Sequence, residues 1–149
     1  MKSILFVCTG NTCRSPLAEG IFTKMIASKD SFSISSAGLH ARDGLPASEK
    51  TVAILAKQGI DFSKFRSQSL RAEKVQEATH IFVMTKSHLQ EILTLYPNIR
   101  EKTFLLSEGT TREDIDDPIG GTLDAYEQCA HAIEEALERI LLFIEKNLI

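Results

Sequence analysis

The residues with the clearest chemical potential are crowded into one short segment near the start of the chain. Residues 8–15 read Cys-Thr-Gly-Asn-Thr-Cys-Arg-Ser. The segment follows the apolar run 4–7 and precedes Pro16, so it is predicted to join a buried strand to the first turn of a helix. Such a loop could hold a metal ion, form a disulfide, bind a nucleotide or present a reactive thiol to an anion.

Anion binding by a thiol-bearing loop is the interpretation that this segment favours. Backbone N–H groups around Gly10 and the N-terminus of the following helix would surround a tetrahedral anion. Arg14 would add a bidentate donor, and the same positive surroundings would stabilise the thiolate of Cys8. A dinucleotide loop fits less well because G-x-G-x-x-G is absent. A zinc site fits poorly because Cys8 and Cys13 have no second pair and no nearby histidine.

A group that could move a proton lies near the end of the chain. Residues 112–121 read Arg-Glu-Asp-Ile-Asp-Asp-Pro-Ile-Gly-Gly and form an acidic loop before the last predicted helix. If the anion held by the first loop is a phosphoryl group that Cys8 attacks, a carboxylic acid on such a loop could protonate the group that leaves phosphorus. Pro118 restricts Asp117 to extended backbone, and Gly120-Gly121 would let the loop bend back over a pocket. Considered alone, these acids would simply keep a loop solvated.

The elements that must position these loops alternate along the chain. Strands are predicted at residues 3–7, 31–36, 80–84 and 102–106, and helices at 16–26, 46–58, 71–77, 86–95 and 122–147. The second strand is expected to stop before Ala37-Gly38. Alternating strands and helices in one small domain predict a parallel sheet covered on both faces. We expect a single domain, residues 1–149, folded as a three-layer α/β/α sandwich with about four parallel strands.

Composition limits the possible partners and the compartment. The chain has 149 residues, of which 43% are hydrophobic and 25% charged, with a formal net charge of -3. This net charge does not indicate a protein that binds nucleic acid. No apolar run reaches the length of a membrane span. Met1-Lys2-Ser3 leads directly into a strand and not into a signal peptide, and three cysteines do not indicate a secreted disulfide framework. A cytoplasmic location is therefore expected.

Together these motifs resemble the low-molecular-weight protein tyrosine phosphatase family. The resemblance rests on the N-terminal C-x5-R-S-P loop, on Ser-Ala-Gly at residues 36–38 and on the late Asp117-Pro118. It covers essentially the whole chain. Several unrelated phosphatase folds share C-x5-R, but its N-terminal position together with a late Asp-Pro is specific to this family.

The resemblance implies a two-step hydrolysis of phosphorylated proteins that uses no metal ion or other cofactor. Cys8 would attack phosphorus, Arg14 and the loop amides would hold the phosphoryl oxygens, and Asp117 would protonate the leaving atom. Asp117 would then activate the water that cleaves the phosphocysteine. The loop residues implied to bind phosphate or another oxyanion are Thr9, Gly10, Asn11, Thr12, Cys13 and Ser15.

The resemblance also assigns supporting roles around the loop. Asn11 would brace the loop through its side chain, Ser15 would donate to the Cys8 thiolate, and Ser36 would support Asn11. Lys64-Phe65-Arg66 stands where many members have a His-Arg or His-Lys pair, so details of the supporting network are expected to differ.

Two departures from the tyrosine-directed members favour the protein-arginine phosphatase branch. Thr12 stands where those members usually have a bulky aliphatic residue, and Ile119-Gly120-Gly121 stands where they tend to carry aromatic residues. A threonine hydroxyl can orient a polar phosphoguanidinium group. Phosphotyrosine stays open as the alternative substrate, because Thr12 could be a simple β-branched replacement.

The remaining cysteines and the histidines are also assigned expected roles. In the family a second loop cysteine can pair with the nucleophile under oxidation, so Cys13 is expected either to have this role or only to pack. Cys129 is expected to pack, His80 to be structural, and none of the four histidines is paired with a nucleophile.

The relay of a thioredoxin-coupled arsenate reductase is missing because residues 79–97 contain no cysteine. A phosphocarrier and an inactive phosphate-binding module remain as alternatives.

Overall fold

Four parallel strands form the central sheet of a computed structural model that describes residues 1–29 and 31–149. The sheet order is β2-β1-β3-β4, with strands β1 Lys2–Cys8, β2 Phe32–Gly38, β3 His80–Val83 and β4 Thr103–Leu105. The helices are α1 Arg14–Met25, α2 Glu49–Lys57, α3 Ala72–Glu77, α4 Lys86–Leu95 and α5 Leu123–Glu145, with a 3-10 helix at Pro97–Lys102. The predicted three-layer α/β/α sandwich is confirmed. No helix in these two ranges is long and apolar enough to cross a membrane.

Alternating side chains of β1 separate two apolar cores. Ile4 and Phe6 pack into the core that contains residues of α1, α2 and α5. Leu5 and Val7 pack into the opposite core, with residues of α3 and α4. Because β1 is buried on both faces, its sequence is a continuous apolar run and does not alternate with polar residues.

The strand order brings the two predicted functional loops to one edge of the sheet. β1 pairs with β2 on one side and with β3 on the other, so the chain changes direction across the sheet beyond the end of β1. Crevices at the carboxyl ends of parallel strands, at such a point, are where ligands bind in open α/β sheets. The loop that follows β1 and the long segment that follows β4 both leave the sheet at this edge.

The expectation that β2 stops before Ala37 is wrong. β2 continues through Ala37 and Gly38, which pair with Val7 and Cys8 of β1. A Cβ atom at Gly38 would lie 2.5 Å from the carbonyl oxygen of Thr9 and 3.0 Å from the nitrogen of Asn11. The glycine is therefore explained by the close approach of the first loop and does not mark the end of the strand.

Helix α2 begins three residues later than predicted. The Oγ of Ser48 accepts a hydrogen bond of 3.2 Å from the Thr51 nitrogen, which makes Ser48 the N-cap. Residues 46–48 therefore lie outside the helix. The predicted strand at residues 102–106 is shorter at both ends in the structure: Lys102 belongs to a 3-10 helix that was not predicted, and the strand ends at Leu105.

Candidate active site

Cys8 ends β1 and borders a small cavity of about 110 Å³ at the carboxyl edge of the sheet. Its sulfur is buried and lies 2.9 Å from the Oγ of Ser15, in the first turn of α1. A serine hydroxyl at this distance can donate to a thiolate. The residues that line the cavity are Cys8, Thr9, Gly10, Thr12, Cys13, Arg14, Asp117 and Ile119.

Arg14 connects the first loop with the acidic loop. Its side chain is buried, and its Nη1 donates to the carbonyl oxygen of Ile115 at 3.0 Å. Its Nη2 lies 3.4 Å from a carboxylate oxygen of Asp117 and also donates to the Oγ1 of Thr9 at 3.4 Å. The guanidinium group therefore has a defined orientation at the edge of the cavity.

The start of α1 is suited to an anion. In the described part of the chain no side chain caps this helix, and its first turn contains no acidic residue. The first N–H groups of a helix have no partner within the helix and carry its positive end. With Arg14 as its first residue, α1 presents positive charge toward the loop that ends at Cys13.

Asn11 holds the loop in shape from behind the cavity wall. Its side chain is fully buried, and its Nδ2 donates to Ser15 Oγ at 2.7 Å and to Ser36 Oγ at 3.0 Å. Its Oδ1 accepts from the backbone nitrogen of Gln68 at 2.9 Å. Asn11 has a φ of 55°, so the left-handed residue of the loop is Asn11 and not Gly10. Asparagine tolerates this conformation better than most residues.

Glu19 and Gln68 extend this network and were missed from the sequence. Ser36 Oγ donates to Glu19 Oε1 at 2.6 Å, and burial raises the pKa of Glu19 above its usual value. The Gln68 side chain donates to the Ser36 carbonyl oxygen at 2.8 Å. Glu19 lies one helical turn after Ser15, and this spacing is the one signal that could have indicated it. The identity of Gln68 as the partner of Asn11 had no local signal.

The acidic loop brings Asp117, and not Asp116, to the cavity. The nitrogen of Ile115 donates to the Met84 carbonyl oxygen at 2.9 Å and so anchors the loop at the end of β3. Asp117 keeps 40% of its side chain exposed, and its Oδ1 accepts from the Ile119 nitrogen at 3.1 Å.

A turn after Asp117 returns the chain toward α5. The nitrogen of Gly121 donates to the Pro118 carbonyl oxygen at 2.8 Å, and Gly120 has a φ of 75°. A turn with this positive φ at its third residue favours glycine there. The bend that the Gly120-Gly121 pair predicts is therefore present.

Cys13 lies at the opposite side of the loop, against α5. Its sulfur is 3.4 Å from the hydroxyl of Tyr126 and 3.8 Å from the Oγ1 of Thr12. Burial and the bond with Cys13 raise the pKa of Tyr126 to about 12. Tyr126 was missed from the sequence because 113 residues separate it from Cys13. Burial also raises the pKa of Cys129 to about 12, which fits a packing role for that thiol.

A buried histidine contacts the loop from the other face of the sheet. The Nε2 of His88 lies 2.7 Å from the Oγ1 of Thr9. Burial, and then the charge of Arg14, lower the pKa of His88 to about 4, so its ring is uncharged at neutral pH. The sequence assigned no partner to His88.

The predicted site residues therefore come together in two groups. Those that line the cavity are Cys8, Thr9, Gly10, Thr12, Cys13, Arg14 and Asp117. Asn11 and Ser15 lie behind it and bond to each other. A thiol, a guanidinium group and a carboxyl group around one small cavity can combine a nucleophile, an anion-binding group and a proton donor.

Comparison with known proteins adds an independent observation. A family model described as low molecular weight phosphotyrosine protein phosphatase matches residues 3–148. The chain is 36% identical over 140 residues to a protein-arginine-phosphatase of Geobacillus stearothermophilus, and the match covers 92% of each chain. It is 38% identical over 139 residues to a low molecular weight protein-tyrosine-phosphatase of Staphylococcus epidermidis, covering 92% of this chain and 95% of the relative.

Similarity in three dimensions leads to the same family. The solved structure of an arginine phosphatase from Geobacillus stearothermophilus matches this fold with a TM-score of 0.91 and 34% sequence identity. The match covers 99% of this chain and 95% of that one. The chain therefore belongs to the low molecular weight phosphotyrosine protein phosphatase family.

Proposed function

We propose that this family member is a protein phosphatase that uses Cys8 as its nucleophile and favours phosphoarginine in proteins as its substrate. The observation that carries the proposal is the cavity in which the Cys8 thiol, the Arg14 guanidinium and the Asp117 carboxyl meet. Thr12 and Ile119 also line this cavity, where they would contact the side chain of the substrate.

In the first step the thiolate of Cys8 attacks phosphorus. A sulfur–phosphorus bond forms while the bond from phosphorus to the guanidino nitrogen breaks. That nitrogen takes the proton of the Asp117 carboxyl, so the arginine side chain leaves as a guanidinium ion. Arg14 and the N–H groups of the loop hold the three phosphoryl oxygens as charge moves onto them.

In the second step water cleaves the phosphocysteine. The Asp117 carboxylate takes a proton from water while the water oxygen bonds to phosphorus and the sulfur–phosphorus bond breaks. Ser15 donates to the departing sulfur from 2.9 Å, which lowers the energy of the thiolate as a leaving group. The reaction as written returns the Cys8 thiolate and the protonated Asp117, and releases inorganic phosphate.

The composition of the cavity wall supports phosphoarginine over phosphotyrosine. None of the eight residues that line the cavity is aromatic, whereas aromatic rings pack favourably against other rings. The hydroxyl of Thr12 can accept a hydrogen bond from a guanidinium N–H, which a phenyl ring does not offer. The Geobacillus relative is a protein-arginine-phosphatase by name. The Staphylococcus relative is a tyrosine phosphatase by name, and this keeps phosphotyrosine as the second candidate.

The experiment that tests the reaction and its substrate compares initial rates on phosphoarginine and phosphotyrosine peptides with one preparation of enzyme. We expect the higher kcat/KM on phosphoarginine. Cys8→Ser should still bind phosphate or vanadate but should lose turnover, because a serine hydroxyl is a far weaker nucleophile than a thiolate and leaves phosphorus less readily. Retention of more than about a hundredth of the wild-type rate would contradict the role of Cys8. Absence of hydrolysis by the wild type would favour a phosphate-binding module or a phosphocarrier.

Thr12 provides the sharper test of substrate choice. Thr12→Val removes the hydroxyl at nearly constant shape and should lower the rate on phosphoarginine by roughly one to two decades. Thr12→Ile should also lower it, while sparing or raising the rate on phosphotyrosine. An unchanged phosphoarginine rate in Thr12→Val would make the hydroxyl irrelevant, and phosphotyrosine would then become the favoured substrate.

We also assign the enzyme to the cytoplasm, where phosphorylated proteins would be its substrates. The three cysteines are free thiols, and a reducing compartment would keep Cys8 available as a nucleophile. Cell fractionation tests this assignment, and recovery of the protein mainly outside the cytoplasmic fraction would contradict it.

A further inference from the structure

A buried histidine on α4 connects that helix with the loop that carries the proposed nucleophile. Thr85 caps α4, and its Oγ1 accepts from the backbone nitrogen of His88 at 3.1 Å. His88 is 6% exposed, and its Nε2 lies 2.7 Å from the Oγ1 of Thr9. Thr9 also lines the cavity, so its hydroxyl connects His88 with the cavity.

The hydroxyl of Thr9 has two neighbours, and one of them can only donate. The Nη2 of Arg14 donates to Thr9 Oγ1 at 3.4 Å and occupies one of its two lone pairs. The ring of His88 occupies a second position around the same oxygen. Whether the ring donates to this oxygen or accepts from it decides where the Thr9 proton points.

The other ring nitrogen of His88 decides between these arrangements. Its Nδ1 is buried and has no hydrogen-bond partner within the described residues. If Thr9 donated to Nε2, the single ring proton would sit on Nδ1 as a buried N–H without an acceptor, and such orphaned donors are rarer than unpaired acceptors. A lone pair on Nδ1 is also the better choice in the first turn of α4, because the N-terminus of a helix is its positive end.

We propose that His88 is a positioning residue: its Nε2–H donates to Thr9 and turns the Thr9 hydroxyl proton into the cavity, toward a bound phosphoryl oxygen. Both lone pairs of Thr9 Oγ1 are then occupied, one by His88 and one by Arg14. The Thr9 hydroxyl thereby becomes an additional donor to the phosphoryl group, and it helps to orient the Arg14 guanidinium. This inference rests on the proposed phosphatase site.

The test compares two substitutions of His88, one that keeps a hydrogen-bond donor and one that removes it. Glutamine can place an amide N–H near the position of Nε2, whereas leucine fills the space without a donor. We expect His88→Leu to weaken inhibition by inorganic phosphate and to lower kcat/KM on p-nitrophenyl phosphate, each by about tenfold. His88→Gln should stay within about threefold of the wild type. His80→Leu is the matched control, because His80 is also buried and bonded to a threonine but begins β3 at the opposite edge of the sheet.

A double-mutant cycle shows whether His88 acts through Thr9. Thr9→Val alone should reproduce the loss seen in His88→Leu, and His88→Leu should cause no further loss in the Thr9→Val background. Equal losses in His88→Leu and His88→Gln, or the same additional loss in both backgrounds, would overturn the proposal.

The wild-type protein supplies a readout that does not depend on folding of the variants or on turnover. Nitrogen NMR shifts of the His88 ring should show a protonated Nε2 and a bare Nδ1 at neutral pH. A protonated Nδ1 would overturn the proposal even if every substitution lowered activity. Absence of turnover in the wild type with the expected ring shifts would instead count against the proposed function.

Discussion

The hydroxyl of Tyr126 lies 3.4 Å from the sulfur of Cys13, although 113 residues separate the two along the chain. With a pKa raised to about 12, the phenol of Tyr126 keeps its proton at neutral pH and can donate to this sulfur. Cys13 is therefore held on the α5 side of the loop, and its sulfur would have to leave this bond to reach Cys8.

This contact gives a prediction about oxidation. Peroxide should inactivate the enzyme reversibly, through a sulfenic acid on Cys8 that Cys13 attacks to form a disulfide and release water. Cys13→Ser should make inactivation harder to reverse with thiol. Tyr126→Phe should speed disulfide formation a few-fold, because the thiol is no longer bound. Mass spectrometry after a peroxide pulse measures both effects, and full thiol recovery in Cys13→Ser would leave Cys13 with a packing role only.

Asp117 should matter most for substrates with poor leaving groups. Asp117→Asn cannot donate a proton, so the rate on phosphoarginine should fall by about a hundredfold or more, while the rate on an aryl phosphate with a good leaving group should fall much less. Asp116→Asn is the matched control, because Asp116 does not line the cavity beside Cys8. A larger effect of Asp116→Asn in steady-state kinetics would show that Asp116, and not Asp117, is the proton donor.

Asn11 allows the backbone and side-chain contributions to the loop to be separated. Asn11→Gly keeps the left-handed conformation and loses the bonds to Ser15, Ser36 and Gln68, whereas Asn11→Ala loses the same bonds and adds backbone strain. Both variants should lose activity. The alanine variant should be less stable than the glycine variant by about 1 kcal/mol in urea unfolding. Equal stability of the two would show that the left-handed backbone of the loop costs little.

Glu19 should contribute a pH dependence of stability. Its folded pKa lies above 4.5 because burial disfavours the carboxylate, although Ser36 and Lys74 act in the opposite direction. The folded state therefore binds this proton more tightly, so the contribution is fully present below pH 4.5 and is lost as pH rises through the folded pKa. Glu19→Gln keeps an acceptor for Ser36 and does not titrate. The stability of this variant relative to the wild type should increase with pH across this window in urea unfolding.

Glu127 provides a control of opposite sign for the Glu19 measurement. The hydrogen bond from Lys57 lowers the pKa of Glu127, so its contribution is present above its ordinary pKa and is lost as pH falls. Glu127→Gln should therefore lose stability relative to the wild type as pH rises. A stability difference for Glu19→Gln that does not change with pH would contradict the assignment of a raised pKa to Glu19.

Local sequence patterns predicted most of the helices and strands. They failed where contacts between elements decide where an element ends. The apolar run of β1 and the helical spacing of α4 and α5 indicate their structures because burial of those residues requires it. The end of β2 was misplaced because Ala37 and Gly38 have little strand preference of their own. They extend β2 because they pair with Val7 and Cys8 and because only a glycine allows the Thr9 carbonyl to approach.

The family and the fold could be read from the sequence, because both depend on short segments at a set spacing along the chain: the Cys8–Ser15 loop, the late Asp-Pro and the alternation of strands and helices. The packing of distant elements settles which side chains hold the loop. Tyr126, His88 and Gln68 contact loop residues that lie 113, 79 and 57 positions away. Such hydrogen bonds form only when separately folded elements pack together at one edge of the sheet, so no local pattern encodes them.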